Sequence, residues 1–447
     1  MTSAHPWTGR RLHFVGIGGA GMSGLALVAH GLGAQVTGSD RAGGAAQLAP
    51  LLALGIAPAA GHDAAHVPEG AEVVVSTAIA ADNPERVRAR ELGLRELHRA
   101  ELLGELTRLK PTIAVTGTHG KTTTASMLVH ALRGCGLDPA YLVGGAVRST
   151  GANAGWGEGE WLVVEADESD RSLLHLAPRI AVLTNAELDH HTTYASQRDV
   201  DATFTAFLAL ADRTVVWDRP ELLALAPPGV VAFDAEPDLF PGGSRFALDG
   251  VTVELAVPGA HNARNAAGAL TAAALAGADP AAAAVALASF AGAGRRFELL
   301  GATPDGAEIV DDYAHHPTEV AATIAAARTL VPRRLIVVFQ PHLFSRTARQ
   351  AQEFGAALAA ADEVAVLPIY SARERAEDFP GVTGLRVAEA AADAGGGKSV
   401  AWLPGFAAAE AFVRARAREG DLVLCLGAGD VDALGRALAA RPAAADT

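Results

Sequence analysis

The sequence predicts an α/β protein of three segments, each built on a parallel, doubly wound sheet. Three observations carry that reading. Short β-branched runs break repeatedly into glycine-containing loops followed by helical patterns, the alternation expected of parallel sheets. A length of 447 residues with 50% apolar content is enough for several hydrophobic cores. Aromatic residues make up only 5% of the chain, so those cores must be packed with aliphatic side chains. No internal repeat at a fixed period is found; what recurs is the strand, the glycine loop and the helix.

The first segment, residues 1–110, opens with a strand over 12–15 followed by Gly16-Ile17-Gly18-Gly19-Ala20-Gly21-Met22-Ser23-Gly24 and an apolar helix to about residue 31. A second strand over 34–37 ends at Ser39-Asp40. Gly16, Gly18 and Gly21 satisfy G-x-G-x-x-G, and Asp40 lies close to where a ribose-binding acid belongs, a Rossmann-like pattern. Taken alone it suits a NAD-dependent oxidoreductase, a site for the diphosphate of another nucleotide, or a glycine turn that lets helix approach strand. A further strand over 72–76 runs into a loop from Thr77 to Pro84, at the sheet edge where ligands of such folds bind.

The second segment, residues 111–293, begins with TIAVTGTHGKTTT over 112–124. A buried strand runs into the loop Gly117-Thr118-His119-Gly120, and a helix starts near Lys121. Backbone N–H groups and the positive end of the helix dipole then converge on one point, which suits a polyphosphate. Lys121 can reach the terminal phosphates, and the Thr122 hydroxyl can ligate an accompanying magnesium. Two residues separate the glycines where the usual phosphate loop has four, and the segment is still expected to be a P-loop ATPase-like domain that binds ATP. A strand over 161–164 ends in Glu165, Asp167, Glu168 and Asp170, either a solvated acidic turn or a carboxylate ligand for magnesium. Another, over 180–183, ends in Asn185, Asp189 and His190. Asn262 and Asn265 lie three apart before an alanine-rich helix over 266–276, on one face, where an amide pair serves as a cap or as a reader of an adenine edge. The alanine-rich stretch 271–289 has the periodicity of packed helices.

The third segment, residues 294–447, starts with Arg295-Arg296-Phe297-Glu298. A strand over 307–310 leads into Asp311-Asp312-Tyr313-Ala314-His315-His316-Pro317-Thr318-Glu319, and one over 335–339 into Gln340-Pro341-His342-Leu343-Phe344-Ser345-Arg346. Strands over 363–367 and 422–426 precede Tyr370 and Gly427-Ala428-Gly429. The pattern is a doubly wound α/β domain, and its histidines lack the Cys or Glu spacing of a zinc site.

A formal charge of −14 and a pI near 5.5 argue against a nucleic-acid partner. Cys135 and Cys425 lack metal-ligand spacing, the N-terminal MTSAHPWTGRR has no apolar signal core, and no apolar run of about 18 residues suggests a membrane span. A cytoplasmic chain, monomeric or weakly dimeric, is expected.

Across nearly the whole chain, GIGGAGMSG, STAIAADNPE, GTHGKTTT, VVEADESD, DHHTTY, HNARN, GRRFE, DDYAHHPTE and FQPHLFSRT resemble, in order, the motifs of the bacterial cell-wall Mur ligases, and most nearly those of the alanine-adding branch. The resemblance implies that the first domain binds the UDP portion of a sugar substrate and not NAD. Gly18, Gly19, Ala20, Gly21, Met22, Ser39, Asp40, Ser76 and Thr77 would line that site. It implies that ATP phosphorylates the lactyl carboxylate of UDP-N-acetylmuramate, that the amine of L-alanine attacks, and that phosphate leaves. Gly117 to Thr123 would hold the ATP phosphates, with Lys121 as the cation and His119 facing the sugar. Thr122, Glu165 and His190 would hold magnesium or manganese. Asn262, Asn265, Arg296, Asp312 and His315 would hold ATP, while Tyr313, His342 and Arg346 would meet L-alanine. Separate domains for these groups imply closure, which keeps water from an acyl phosphate.

The family often has an Arg after the His of QPH and a Gly before the histidine pair, where this chain has Leu343 and Ala314. Later enzymes of the pathway use a carbamylated lysine beyond the Asp-His motif. No lysine lies between Lys121 and Lys398 here, which fits the alanine-adding branch. A ligase that joins a whole tripeptide to the same sugar is the rival within the family.

Overall fold

A strand of a parallel sheet is covered on both faces, so it must be apolar throughout rather than alternating. Thr112–Thr116 is buried at every residue, as are Ile180–Leu183, Leu335–Phe339 and Leu422–Leu426. The computed structural model describes residues 5–41 and 48–439, and residues 1–4 of the N-terminal stretch considered above lie outside it.

Two compact units are present. The first comprises the chain up to Asp234 together with Arg264–Leu287. It holds a five-stranded parallel sheet in the order Ala59–Ala60, Gln35–Asp40, Arg11–Val15, Glu72–Val75, Glu96–His98. It also holds a seven-stranded sheet in the order Val231–Phe233, Arg213–Trp217, Ile180–Leu183, Thr112–Thr116, Leu162–Glu165, Ala140–Val147, Ala152–Gly155, whose last strand is antiparallel. Between the two sheets lies the helix Ala20–Gly31. Its Gly24 faces Asn153 and Leu142, and a Cβ on Gly31 would come within 3.2 Å of Trp156 Cβ. A helix apolar all round is one that is covered all round, and the glycines let the second sheet approach.

The second unit comprises Ala235–Ala263 and the chain from Ala288 on. Its main sheet has the order Glu298–Ala302, Glu308–Asp312, Leu422–Leu426, Leu335–Phe339, Glu363–Val366, Ser399–Trp402, parallel except for the first strand. The strands Asp238–Phe240, Gly243–Leu248 and Val251–Leu255 form a separate antiparallel sheet. Among the described residues, no helix is long and apolar enough to cross a membrane.

Several expected boundaries shift. The second strand continues through Ser39 and Asp40, and Glu165 ends its strand instead of following it. The alanine-rich helix begins at Ala260, six residues before 266, because Asn262 donates its amide to Pro258 O (2.7 Å) and so closes the first turn. The antiparallel strands at 238–255 and the edge strands Glu298–Ala302 and Ser399–Trp402 were not foreseen. Edges are short and half-exposed, so their apolar pattern is weak. The helices Ala260–Leu275 and Pro280–Leu287 bear out the reading of the alanine-rich stretch.

One ion cluster ties the base of the second unit's main sheet. Asp421 is buried, and it accepts hydrogen bonds from Arg333 Nε (3.0 Å), Arg334 Nη2 (2.7 Å) and the Arg418 N–H (3.0 Å). Burial alone would raise its carboxyl, but these donors outweigh it and hold the group at about 2. A depressed carboxylate contributes stability above the unfolded value and loses it as pH falls through the folded one. We expect Asp421→Asn to lower the melting temperature near neutrality by about 5 °C. Thermal unfolding of both proteins should show that gap closing as pH falls from about 4 toward 2.

Candidate active site

The strand Thr112–Thr116 delivers the chain into a loop that only glycine can close. Gly117 has φ +135° and Gly120 φ +80°, and a Cβ on them would lie 2.1 Å from Thr184 Oγ1 and 2.6 Å from Asn265 Oδ1. Thr184 and Asn185 clamp the loop from the neighbouring strand. The Asn185 amide accepts from His119 N–H (2.8 Å) and donates to His119 O (2.9 Å). The helix Lys121–Gly134 follows, with the first-turn N–H groups turned toward the loop.

Lys121 is folded into this loop. Its Nζ donates to Gly117 O (2.6 Å) and Thr118 O (3.0 Å) and lies 2.9 Å from Glu168 Oε2. Burial would lower the ammonium, yet Glu168, Asp167 and Glu165 outweigh it and raise it, so the cation is retained. Glu165 accepts from Thr122 Oγ1 (3.0 and 2.9 Å) and from Gly144 N–H (2.6 Å). His190, at φ +50°, places Nε2 3.3 Å from Glu168 Oε1. The expected Lys121, Thr122, Glu165 and His190 are therefore brought together, and Thr123 is buried one residue on. His119 Nε2 lies 3.3 Å from Glu187.

In the five-stranded sheet, Asp40 accepts from Gly18 N–H (2.8 Å), so it braces the glycine loop. Gly19 precedes the helix that starts at Ala20, and Met22 is buried inside it. Ser39 is buried and donates to Glu85 Oε1 (2.7 Å). Ser76 starts a turn through Thr77, accepting from Ile79 N–H (3.1 Å). Arg99 joins the two sheets' loops. Its guanidinium reaches Asp167 (3.2 Å) and Asp170 (3.0 Å) and passes 3.0 Å from where a Gly21 Cβ would be.

In the second unit, Asp312 ends a buried strand and accepts from Phe297 N–H (2.7 Å) and Ala314 N–H (2.8 Å). Burial raises its carboxyl despite Arg296. Arg296 stacks over Tyr313 (4.9 Å) and lies 3.9 Å from Glu319. His316-Pro317-Thr318-Glu319 is a capping box with proline in the first turn, and Glu319 also accepts from His315 N–H (3.0 Å). The Tyr313, His315 and His342 rings meet edge to face at 5.3 and 5.8 Å. Arg346 is buried and places Nη1 3.1 Å from His342 Nδ1. Asn262, Arg296, Asp312, Tyr313, His315, His342 and Arg346 belong to this unit, and Asn265 to the first.

Sequence reasoning missed Glu168, Asn185 and Arg99 as individual participants. Glu168 lay in the acidic run and Asn185 in the strand-end motif that were both singled out. Arg99 had no local signal, because its partners are 68 and 71 residues away.

The chain matches three family models, for the Mur ligase family catalytic domain over residues 11–111, the Mur ligase middle domain over 115–273 and the Mur ligase glutamate ligase domain over 295–429. It is similar to the UDP-N-acetylmuramate–L-alanine ligase of Acidithiobacillus ferrooxidans, at 45% identity with 95% of this chain and 96% of that one covered. The enzyme of the same name from Streptomyces coelicolor is 43% identical over 97% and 98% of the two chains. Among solved structures, the UDP-N-acetylmuramate-alanine ligase of Thermotoga maritima matches with TM-score 0.82 and 28% identity over 96% of this chain and 98% of that one. A murein peptide ligase from Psychrobacter arcticus matches with TM-score 0.70 and 25% identity over 96% and 98%. With family models covering most of its length and relatives above 40% identity end to end, the chain belongs to the Mur ligase family.

Proposed function

We propose that this chain is an ATP-dependent ligase that joins L-alanine to the lactyl carboxylate of UDP-N-acetylmuramate, in the supply of peptidoglycan precursors. The observation that carries the chemistry is the glycine loop before Lys121 set against Glu165 and Glu168. A carboxylate does not react with an amine until one of its oxygens becomes a leaving group. The substrate carboxylate oxygen attacks the γ-phosphorus, ADP leaves, the alanine nitrogen attacks the acyl carbon, and phosphate departs as the nitrogen loses its proton. Such a sequence needs a held triphosphate and cations around it.

We assign residues 1–110 to the UDP-sugar, 111–293 to ATP, and 294–447 to the amino acid and to contacts completing the ATP site. Gly117 to Thr123 are assigned to the ATP phosphates, in a loop that leaves no room for a Cβ at 117 or 120, and Lys121 would exchange Glu168 and loop carbonyls for phosphate oxygens. Thr122, Glu165 and His190 offer the oxygen-dominated donor set that suits magnesium, with manganese as a substitute. The metal's contribution is to neutralise charge on the transferring phosphoryl group. Asn262, Asn265, Arg296, Asp312 and His315 are assigned to ATP, and Tyr313, His342 and Arg346 to L-alanine. The wider ligand set comprises these small molecules, with no nucleic acid.

Phosphate release from ATP, magnesium and UDP-N-acetylmuramate, with single amino acids or the tripeptide added in turn, tests the assignment. Release with L-alanine is expected, and release with tripeptide alone would move the chain to the recycling branch. Lys121→Ala should abolish ligation while calorimetry shows UDP-sugar affinity nearly intact; a parallel collapse of both would refute the division of labour. Glu165→Ala and His190→Ala should each shift the magnesium requirement upward, with partial rescue by excess metal, and a wild-type metal titration would exclude them. Arg346→Ala should raise the alanine KM by about 10²-fold, the loss of a charge-assisted bond worth roughly 2–3 kcal/mol. An equal rise for ATP would reassign Arg346 to the phosphates.

A further inference from the structure

We propose that Tyr370 is a positioning residue for the amino-acid substrate, holding the His342 imidazole by ring stacking; this rests on the assignment of His342 and Arg346 to the L-alanine pocket. Tyr370 lies beyond the strand Glu363–Val366, and its backbone brackets the loop that carries His342. Its N–H donates to Pro341 O (2.8 Å), and its carbonyl accepts from Leu343 N–H (3.0 Å). Between these two bonds the rings stack, with centroids 5.8 Å apart and planes 14° from parallel.

The imidazole is thereby bounded on three sides. Tyr370 covers a face, His315 meets it edge to face at 5.8 Å, and Arg346 Nη1 lies 3.1 Å from Nδ1. A guanidinium has no acceptor, so Nδ1 must accept and the ring keeps its proton on Nε2. Fixing the ring plane fixes the direction in which that N–H points. Tyr370 is itself fixed from behind, since a Cβ on Gly429 would sit 2.6 Å from its Cγ, and only glycine fits there. Leu343 adjoins with φ +70° and ψ +135°, a conformation unfavourable for a side chain with a Cβ. The two Tyr370 backbone bonds hold it there.

Replacing the ring separates its role from that of the backbone, because Tyr370→Ala keeps both main-chain bonds and Tyr370→Phe keeps the stack. The full-length enzyme is assayed for phosphate release with ATP and UDP-N-acetylmuramate saturating and L-alanine varied, melting temperature serving as the folding control. Tyr370→Phe should stay within about twofold of wild type, and Tyr370→Ala should raise the alanine KM by about tenfold with kcat and the ATP KM within about twofold. Gly429→Ala, whose Cβ would crowd Gln340 Oε1 as well as the Tyr370 ring, should move the alanine KM in the same direction. An unchanged alanine KM in Tyr370→Ala, or an equal rise in the KM for ATP, overturns the proposal while leaving the ligase assignment standing. Wild-type protein with no alanine-dependent release would overturn the ligase assignment, and this proposal with it.

Discussion

A buried ammonium sets the terms for the central site. Lys121 spends its hydrogen-bonding capacity on two carbonyls of its own loop and on Glu168, and a buried cation without such partners would deprotonate or unfold the loop. The acidic run must therefore lie against the glycine loop. But it brings more charge than Lys121 can match: Glu165, Asp167 and Glu168 all act on that ammonium. Arg99, reaching across from the first sheet, takes Asp167 and Asp170 and helps keep the Asp167 carboxyl low against the effect of burial. Two cations thus face four carboxylates, a surplus of the size and hardness that a divalent ion would neutralise.

The same arginine explains why the two sheets of the first unit are built so close together. Helix Ala20–Gly31 is sealed on both sides, and its glycines at 24 and 31 are spaced to bring one face against the second sheet. A charged bridge of about 3 Å tolerates little slack, and close-packed glycine contacts remove it. The G-x-G-x-x-G signature closes the loop at the helix N-terminus, while the later Gly24 and Gly31 keep the helix body thin.

Much of this was legible in the sequence. The loop at Gly117–Lys121 announces itself, because φ values of +135° and +80° demand glycine and a buried strand must precede them. Capping at His316 was not read in advance, because histidine is not among the usual N-cap residues even though Pro317 and Glu319 follow it. What sequence could not supply is pairing at a distance. Arg99 and Tyr370 carry no motif, and their importance arises only when sheets bring positions tens of residues apart into contact. Of the antiparallel strands at 238–255, Val251–Leu255 alternates apolar and polar residues and was overlooked, whereas Asp238–Phe240 is exposed at all three positions and offers no pattern.

In the second unit the constraint is again a charge kept dry, and it shapes the strand ends around the aromatic cluster. Arg295, itself at φ +57°, donates to Gly427 O and Gly429 O (both 2.9 Å) and to Asp311 (3.1 Å). Burial pushes Asp311 up to about 6, with Arg295 opposing. An aspartate raised in the folded state binds its proton more tightly there, so this group adds stability as pH falls from about 6 toward the ordinary carboxylate value and withholds it near neutrality. The fold keeps this carboxylate at a cost in stability near neutrality, and the carboxylate fixes one arginine. That arginine fixes the glycine loop, and Gly429 backs the ring of Tyr370. The placement of the His342 ring therefore descends from a buried carboxylate and its arginine, through two carbonyls, to a ring stack that no single sequence motif could have oriented.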